Sequence, residues 1–257
     1  MDVSNNRINI SKNLEIINLT ANIENPKYSL YMMRVPDEII YLELNTELTS
    51  IVVINGELGV NDSGSVFKRF QGVHILESEN YIELNGNGNC VILIGSTNNL
   101  EIKSPKKDSQ KVENENIKQM SNYKVKKPWG YEVWFTQNID NFPYALKNIH
   151  MEEGFQSSLQ SHEFKSETNF VVTGEAKVLY GKEAPKNLEE VVDVNQLQSK
   201  IYKPTQGWSN KVNELHRVIA HTTYDAIEIS TPELDDVVRW ADDNNRKSGR
   251  IDSEHSS

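Results

Sequence analysis

The segment Gly154–Gly174, GFQSSLQSHEFKSETNFVVTG, decides how this 257-residue chain is read. Gln160 and His162 stand two apart, so on a strand both side chains leave the same face. Glu167 comes five residues after His162, far enough for a bend or bulge to return a carboxylate to that face. The strand NFVVTG then runs into a turn glycine, Gly174. A fourth group has to come from a later strand, and His216 in NELHRVIAH is the candidate. His221, five residues further on, is the alternative, but strand alternation turns it to the opposite face from His216. An amide oxygen, two imidazoles and a carboxylate form a mixed nitrogen and oxygen set, suited to Zn, Fe, Mn, Co or Ni.

Outward from this segment the chain repeats one pattern. Short runs rich in Ile, Val, Leu and Tyr are separated by Asn, Gly, Asp or Ser: EIIYLEL, SIVVING, GVHIL, NYIEL and CVILIG in the first half, YEVWF, YALKNI, NFVVTG, AKVLYG, RVIAH and DAIEIS in the second. Runs of this length with turn residues between them are strands, and their number implies sandwiches or barrels. Helical signal is sparse; Asn187–Gln198 and Leu234–Asp243, each with acidic residues in its first turn, are the two predicted helices. Between Asn98 and Tyr123 the composition turns polar, which predicts a linker. The expected division is therefore residues 1–104, a linker at 105–122, residues 123–246, and a polar, disordered tail at 247–257.

The spacing of Gly154, Gln160, His162, Glu167 and Gly174 resembles the first motif of the cupin family, G(X)5HXH(X)3-4E(X)6G, with Gln160 standing where the first His usually stands. That same substitution is found among cupin phosphomannose isomerases, whose zinc is held by Gln, His, Glu and His. KPWGYE (Lys127–Glu132), SLQSHEFKSE and TPELDDVVRWADDNNR (Thr231–Arg246) likewise resemble those isomerases and the barrel fused to mannose-1-phosphate guanylyltransferases. The second cupin motif, G(X)5PXG(X)2H(X)3N, keeps only its His at His216; Lys211, Asn213 and Ala220 replace the Pro, Gly and Asn. In the first half, Glu83 falls at the second motif's His and Thr49 at the first motif's Glu. The resemblance implies an all-β protein of two cupin jelly-roll barrels in tandem, the N-terminal one without metal ligands.

The same resemblance implies a function. It points to a metal-dependent aldose–ketose isomerase acting on a sugar phosphate, in sugar-nucleotide or surface-polysaccharide supply, with the metal, zinc above all, on Gln160, His162, Glu167 and His216. Glu163, Glu132 and Lys165 are the candidates for proton transfer, although alternation should turn Glu163 away from the metal. Lys165 and Arg217, each close to a ligand, and Lys147, on the preceding strand, are candidates to hold phosphate or a developing oxyanion. Tyr131 and Trp129 suit a sugar pocket or core packing, and Arg239 suits either the substrate or a local salt bridge to Asp235 and Asp236. Rival readings are a nucleotide-sugar epimerase, an iron dioxygenase, and a sugar-binding bicupin without activity.

Composition narrows the partners. A net charge of −10 repels nucleic acid as a whole but leaves room for a local cationic cluster that takes a small anion. Cys90 is the single cysteine, so no intrachain disulfide can form. MDVSNNRINI lacks a basic stretch succeeded by an apolar one, and no apolar run reaches the roughly 20 residues that span a membrane. The expectation is a soluble, cytoplasmic protein with no nucleic-acid or membrane partner, paired as a homodimer through its barrel sheets.

Overall fold

The apolar runs fold as strands without exception. The computed structural model describes residues 2, 6–11, 14–23, 26–44, 46–61, 64–78, 80–97, 110–187, 189–243, 246 and 248–251. Among them helix is confined to three single 3-10 turns, at Asn114–Asn116, Thr136–Asn138 and Val194–Gln196, and no helix is long and apolar enough to cross a membrane. The chain divides into two compact units: residues 3–121 with 136–144, and residues 1–2 with 122–135 and 145–257.

The first unit contains β1 (Asn6–Ser11), β2 (Leu14–Asn18), β3 (Tyr28–Arg34), β4 (Ile39–Glu43) and β5 (Thr46–Val60). It continues with β6 (Val66–Phe67), β7 (Gly72–Ser78), β8 (Tyr81–Thr97) and β9 (Ile117–Gln119). The hydrogen-bonded order is β1-β2-β3-β8-β5-β7-β9, with β4 beside β8 and β6 beside β5. NYIEL and CVILIG, which the intervening NGNGN marks as separate, are one strand, β8. Its partner β5 absorbs the mismatch in bulges around Asn55. Gly56 sits there at φ +74°, where a Cβ would lie 2.7 Å from the Asn87 carbonyl oxygen.

The interior of this unit is filled by Ile, Leu, Val and Tyr side chains, with Cys90 among them. Glu83 is ion-paired to Lys111 at the margin, and Thr49 is buried. Among the described residues the metal-ligating spacing occurs only in the other unit. His74 is buried as a structural residue: its Nδ1 lies 2.8 Å from Ser50 Oγ, which is 2.7 Å from the Tyr144 hydroxyl. The described part of the predicted linker is not a linker. Val112 is buried in this core and β9 pairs with β7, because Val112, Ile117 and Met120 supply apolar contacts that a count of polar residues hides. Residues 98–109 lie outside the described ones.

The second unit has β10 (Tyr123–Lys127), β11 (Gly130–Trp134), β12 (Ala145–Met151), β13 (Leu159–Ser161), β14 (Glu167–Thr173) and β15 (Ala176–Glu183). β16 (Gln198–Tyr202), β17 (Gly207–Asn210), β18 (Glu214–Ala220), β19 (Tyr224–Ser230), β20 (Val237–Ala241) and β21 (Gly249–Ile251) complete it. They form two six-stranded sheets, β10-β11-β12-β19-β14-β17 and β16-β15-β18-β13-β20-β21. A core of Ile149, Val171, Trp208 and Ala226 from the first and Val178, Tyr202 and Ala220 from the second holds the sheets face to face.

Three expectations are corrected in this unit. Leu234–Asp243 is not a helix: it contains β20, paired with β13 and β21. Asn187–Gln198 holds only the Val194–Gln196 turn, where Asp193 accepts the Asn195 N–H at 3.0 Å. Gly249–Ile251 of the predicted tail is the edge strand β21, and residues 252–257 lie outside the described ones.

Candidate metal centre

Gln160 and His216 are register partners on β13 and β18, so both side chains leave one face of their sheet. His162 comes just past β13, and Glu167 opens β14 on the opposite sheet. The ligating atoms of His162, Glu167 and His216 all lie within 4.8 Å of one another, and all three residues are buried. Glu167 Oε1 is 3.4 Å from His216 Nε2, and Oε2 is 3.7 Å from His162 Nε2.

The tautomers are set from behind. His216 Nδ1–H donates to the Glu214 carbonyl at 3.0 Å, and His162 Nδ1–H donates to the Asp236 carbonyl. In the neutral form of each ring the remaining lone pair, on Nε2, faces Glu167. His162 Nε2 is buried and accepts no hydrogen bond among the described residues. Burial, reinforced by the Lys165 ammonium, pushes the His162 pKa down to about 3, so the ring is neutral.

Gln160 places Nε2 3.2 Å from His216 Nε2, while its Oε1 accepts from Ser158 Oγ at 3.2 Å. A half-turn of the amide would let Nε2 donate to Ser158 and bring the oxygen to face His216. Two acceptors then oppose each other, an arrangement that a cation stabilises. These four residues fit a divalent cation, with one amide, two imidazoles and a carboxylate as donors.

Beside the donors runs a buried chain of alternating charge. Lys127 Nζ is 3.6 Å from Glu132, and Lys147 Nζ is 3.2 Å from Glu132 and 3.3 Å from Glu228. Lys165 Nζ is 3.0 Å from Glu228 and 2.7 Å from Glu167. Burial alone would neutralise Lys147 and Lys165, but their carboxylate neighbours outweigh it and hold both pKa values above the ordinary lysine value. Burial would likewise raise the Glu167 pKa, and the Lys165 ammonium instead drives it well below the carboxylate range. Three lysines therefore face three glutamates in a cavity lined also by Trp129, Gln160, the two imidazoles and Arg246, whose guanidinium is paired with Asp242.

Of the sequence candidates, Lys147, Lys165, Glu132 and the four donors meet in this cavity. Four others do not. Glu163 is exposed and ion-paired to Arg250, in the turn that follows β13 rather than on a strand. Arg217, next to His216 and turned the other way, pairs with Asp243 at 2.8 Å and the Ala241 carbonyl at 3.0 Å. Tyr131 stacks on His150 with Lys124 over its ring, on the face opposite Glu132. Arg239 is buried on β20 opposite Gln160 but does not line the cavity. His221 is half exposed, 3.8 Å from Glu175.

Glu228, Lys127, Asn210 and Arg246 also reach the site and are not among the sequence candidates. Glu228 had a signal: a carboxylate in the middle of the apolar strand DAIEIS has to be paired. Lys127 had one too, two residues before Trp129 in KPWGYE. Asn210, which donates to Glu167 Oε1 at 2.8 Å, and Arg246, held by Asp242 at the cavity, had none.

No protein-family model matches the chain, and no curated protein matches it by sequence. Solved structures do resemble it. The oxalate decarboxylase of Lactobacillus farciminis, as a formate complex, is 11% identical, with 92% of this chain and 89% of that chain covered at a TM-score of 0.65. The oxalate decarboxylase of Bacillus subtilis, described with Mn(II) centres, is 12% identical over 93% and 79%, TM-score 0.64. Procruciferin, an 11S globulin of Brassica napus, is 12% identical over 90% and 83%, TM-score 0.63. Both sets are bicupins, and the fold of this chain is like theirs: all-β, with two jelly-roll barrels. Enzymes and seed globulins share that fold, so function has to be argued from the site.

Proposed function

We propose that the second barrel is a divalent-cation-dependent aldose–ketose isomerase acting on a sugar phosphate. The observation that carries the reading is the pair of imidazoles whose Nε2 atoms converge on Glu167 beside two buried ammonium groups. The KPWGYE and TPELDDVVRW phrases, which resemble cupin phosphomannose isomerases, support the sugar-phosphate class.

Gln160, His162, Glu167 and His216 would hold the cation, zinc or manganese, which when bound polarises the substrate carbonyl. A divalent cation adds two positive charges to this cavity, and a phosphate dianion offsets them. Lys147 and Lys165, kept protonated, donate to substrate oxygens and oppose charge that builds up on them. Glu132 faces the cavity between Lys127 and Lys147 and is the group proposed to take the proton from the carbon beside the carbonyl and return it to the neighbouring carbon. Glu228, shared between two ammonium groups on a single oxygen, serves to fix both lysines.

A second reading rests on the same charge count. A small dicarboxylate would also balance the loaded site, and oxalate, the namesake of the fold neighbours, is the test case. Zinc- and manganese-loaded protein should be assayed with hexose, pentose and heptose phosphates and with oxalate. Aldose–ketose interconversion is expected, falling at least about 100-fold in Gln160→Ala and His162→Ala and about 10²–10⁴-fold in Glu132→Gln. Turnover that survives both ligand substitutions contradicts the cation's role; turnover of oxalate alone replaces the sugar phosphate.

A further inference from the structure

The turn that carries the chain from His162 to Glu167 is held by a residue that touches neither the cavity nor its donors' ligating atoms. Four consecutive amides project from this turn. Those of Glu163, Phe164 and Lys165 donate to the Asp236 carboxylate, at 3.1 Å to Oδ1 and at 2.5 and 2.8 Å to Oδ2. The Ser166 amide donates to Thr231 Oγ1 at 3.2 Å, and the Ser166 carbonyl accepts from the Thr231 amide at 3.0 Å. Asp236 also acts through its backbone, since its carbonyl takes the Nδ1–H of His162.

We propose that Asp236 is the positioning residue of the cation site: one side chain sets the turn, and one carbonyl sets the imidazole that the turn begins with. This rests on the reading that His162, Glu167 and His216 hold a cation. Only an ionised carboxylate offers enough acceptor sites for three amides in so short a span. Asparagine keeps one oxygen but turns an NH2 against an N–H donor. Alanine leaves three amides of a half-buried turn without their acceptor, and His162 and Lys165 are then free to shift.

The test uses the full chain with Asp236→Asn, Asp236→Ala and, as control, the exposed neighbour in Asp235→Asn. Zinc affinity is read by competition with a chromophoric chelator, the visible spectrum of bound cobalt reports the donor geometry, and hydrogen exchange is monitored over residues 159–167. The zinc Kd is expected to rise about 10-fold in Asp236→Asn and toward 100-fold in Asp236→Ala, with an altered cobalt spectrum and faster exchange at the 163–165 amides. Asp235→Asn is expected to match the wild type. Wild-type affinity and protection in Asp236→Ala, or faster exchange spread evenly over the whole unit, would overturn the proposal. If Asp236→Ala does not fold, Asp236→Asn decides by the same readouts. A wild-type chain that takes up no zinc overturns the cation reading instead, and exchange at 163–165 still decides whether Asp236 holds the turn.

Discussion

His150 and His162 stand twelve residues apart in the second unit and titrate in opposite senses. Burial disfavours a charged His150, but hydrogen bonds to Asp225 at 2.9 Å and to the more exposed Glu152 at 3.1 Å outweigh it, and its pKa is raised. A raised folded-state value stabilises the fold fully below the unfolded pKa near 6.5, and that contribution is lost as pH climbs through the raised value. His162 does the reverse: with its pKa lowered to about 3, stability is lost as pH falls from about 6.5 toward 3 while the unfolded chain takes up the proton. Urea unfolding as a function of pH should therefore show a decline above about pH 6.5 in the wild type that flattens in His150→Gln. An unchanged decline in that variant would assign it to another group.

Among the elements, the β14–β15 connection is the one most constrained by a single position. Gly174 adopts φ +73°, and a Cβ there would lie 2.1 Å from the Thr223 carbonyl oxygen and 2.7 Å from Tyr224 Cα. Gly174→Ala is expected to destabilise the second unit by about 2 kcal/mol or more, read from the denaturant midpoint; a midpoint at the wild-type value would refute the packing argument. This glycine, with Gln160, His162 and Glu167, was legible because strand alternation and a fixed spacing put them on one face or at a forced turn. His216 was legible for the same reason, although the second motif around it has lost its Pro, Gly and Asn. The two predicted helices failed because acidic residues at the start of a run have other uses than facing a helix dipole: Asp236 accepts amides of the neighbouring turn, and Glu189 and Glu190 are exposed after Asn187, whose side chain accepts the Glu189 N–H. The lysine–glutamate chain was half legible: Lys147 and Glu132 sit in apolar strands and Lys127 is across a tight hairpin from Glu132, but Glu228 comes from β19, whose pairing with β12 no local pattern encodes. Arg217 lies outside the cavity because the immediate strand neighbour of His216 faces the other way.

In the molecule as a whole, one fold is used with two kinds of interior. The first unit is packed with aliphatic and aromatic side chains and has no cluster of metal-ligating residues among those described. In the second, part of the space between the sheets is given to charged groups, each buried lysine matched to a carboxylate. Such a cluster is costly to bury and adds little to stability relative to apolar packing, so its presence argues for a ligand. The claim underneath is that two imidazole nitrogens, a carboxylate and an amide oxygen grip one divalent cation in the second barrel. X-ray absorption on the zinc-loaded full chain tests this most directly. One zinc per chain is expected, with two imidazole nitrogens at about 2.0–2.1 Å and oxygen donors at about 2.0–2.2 Å. A chain that retains no zinc after dialysis, or a zinc environment without imidazole, would contradict it.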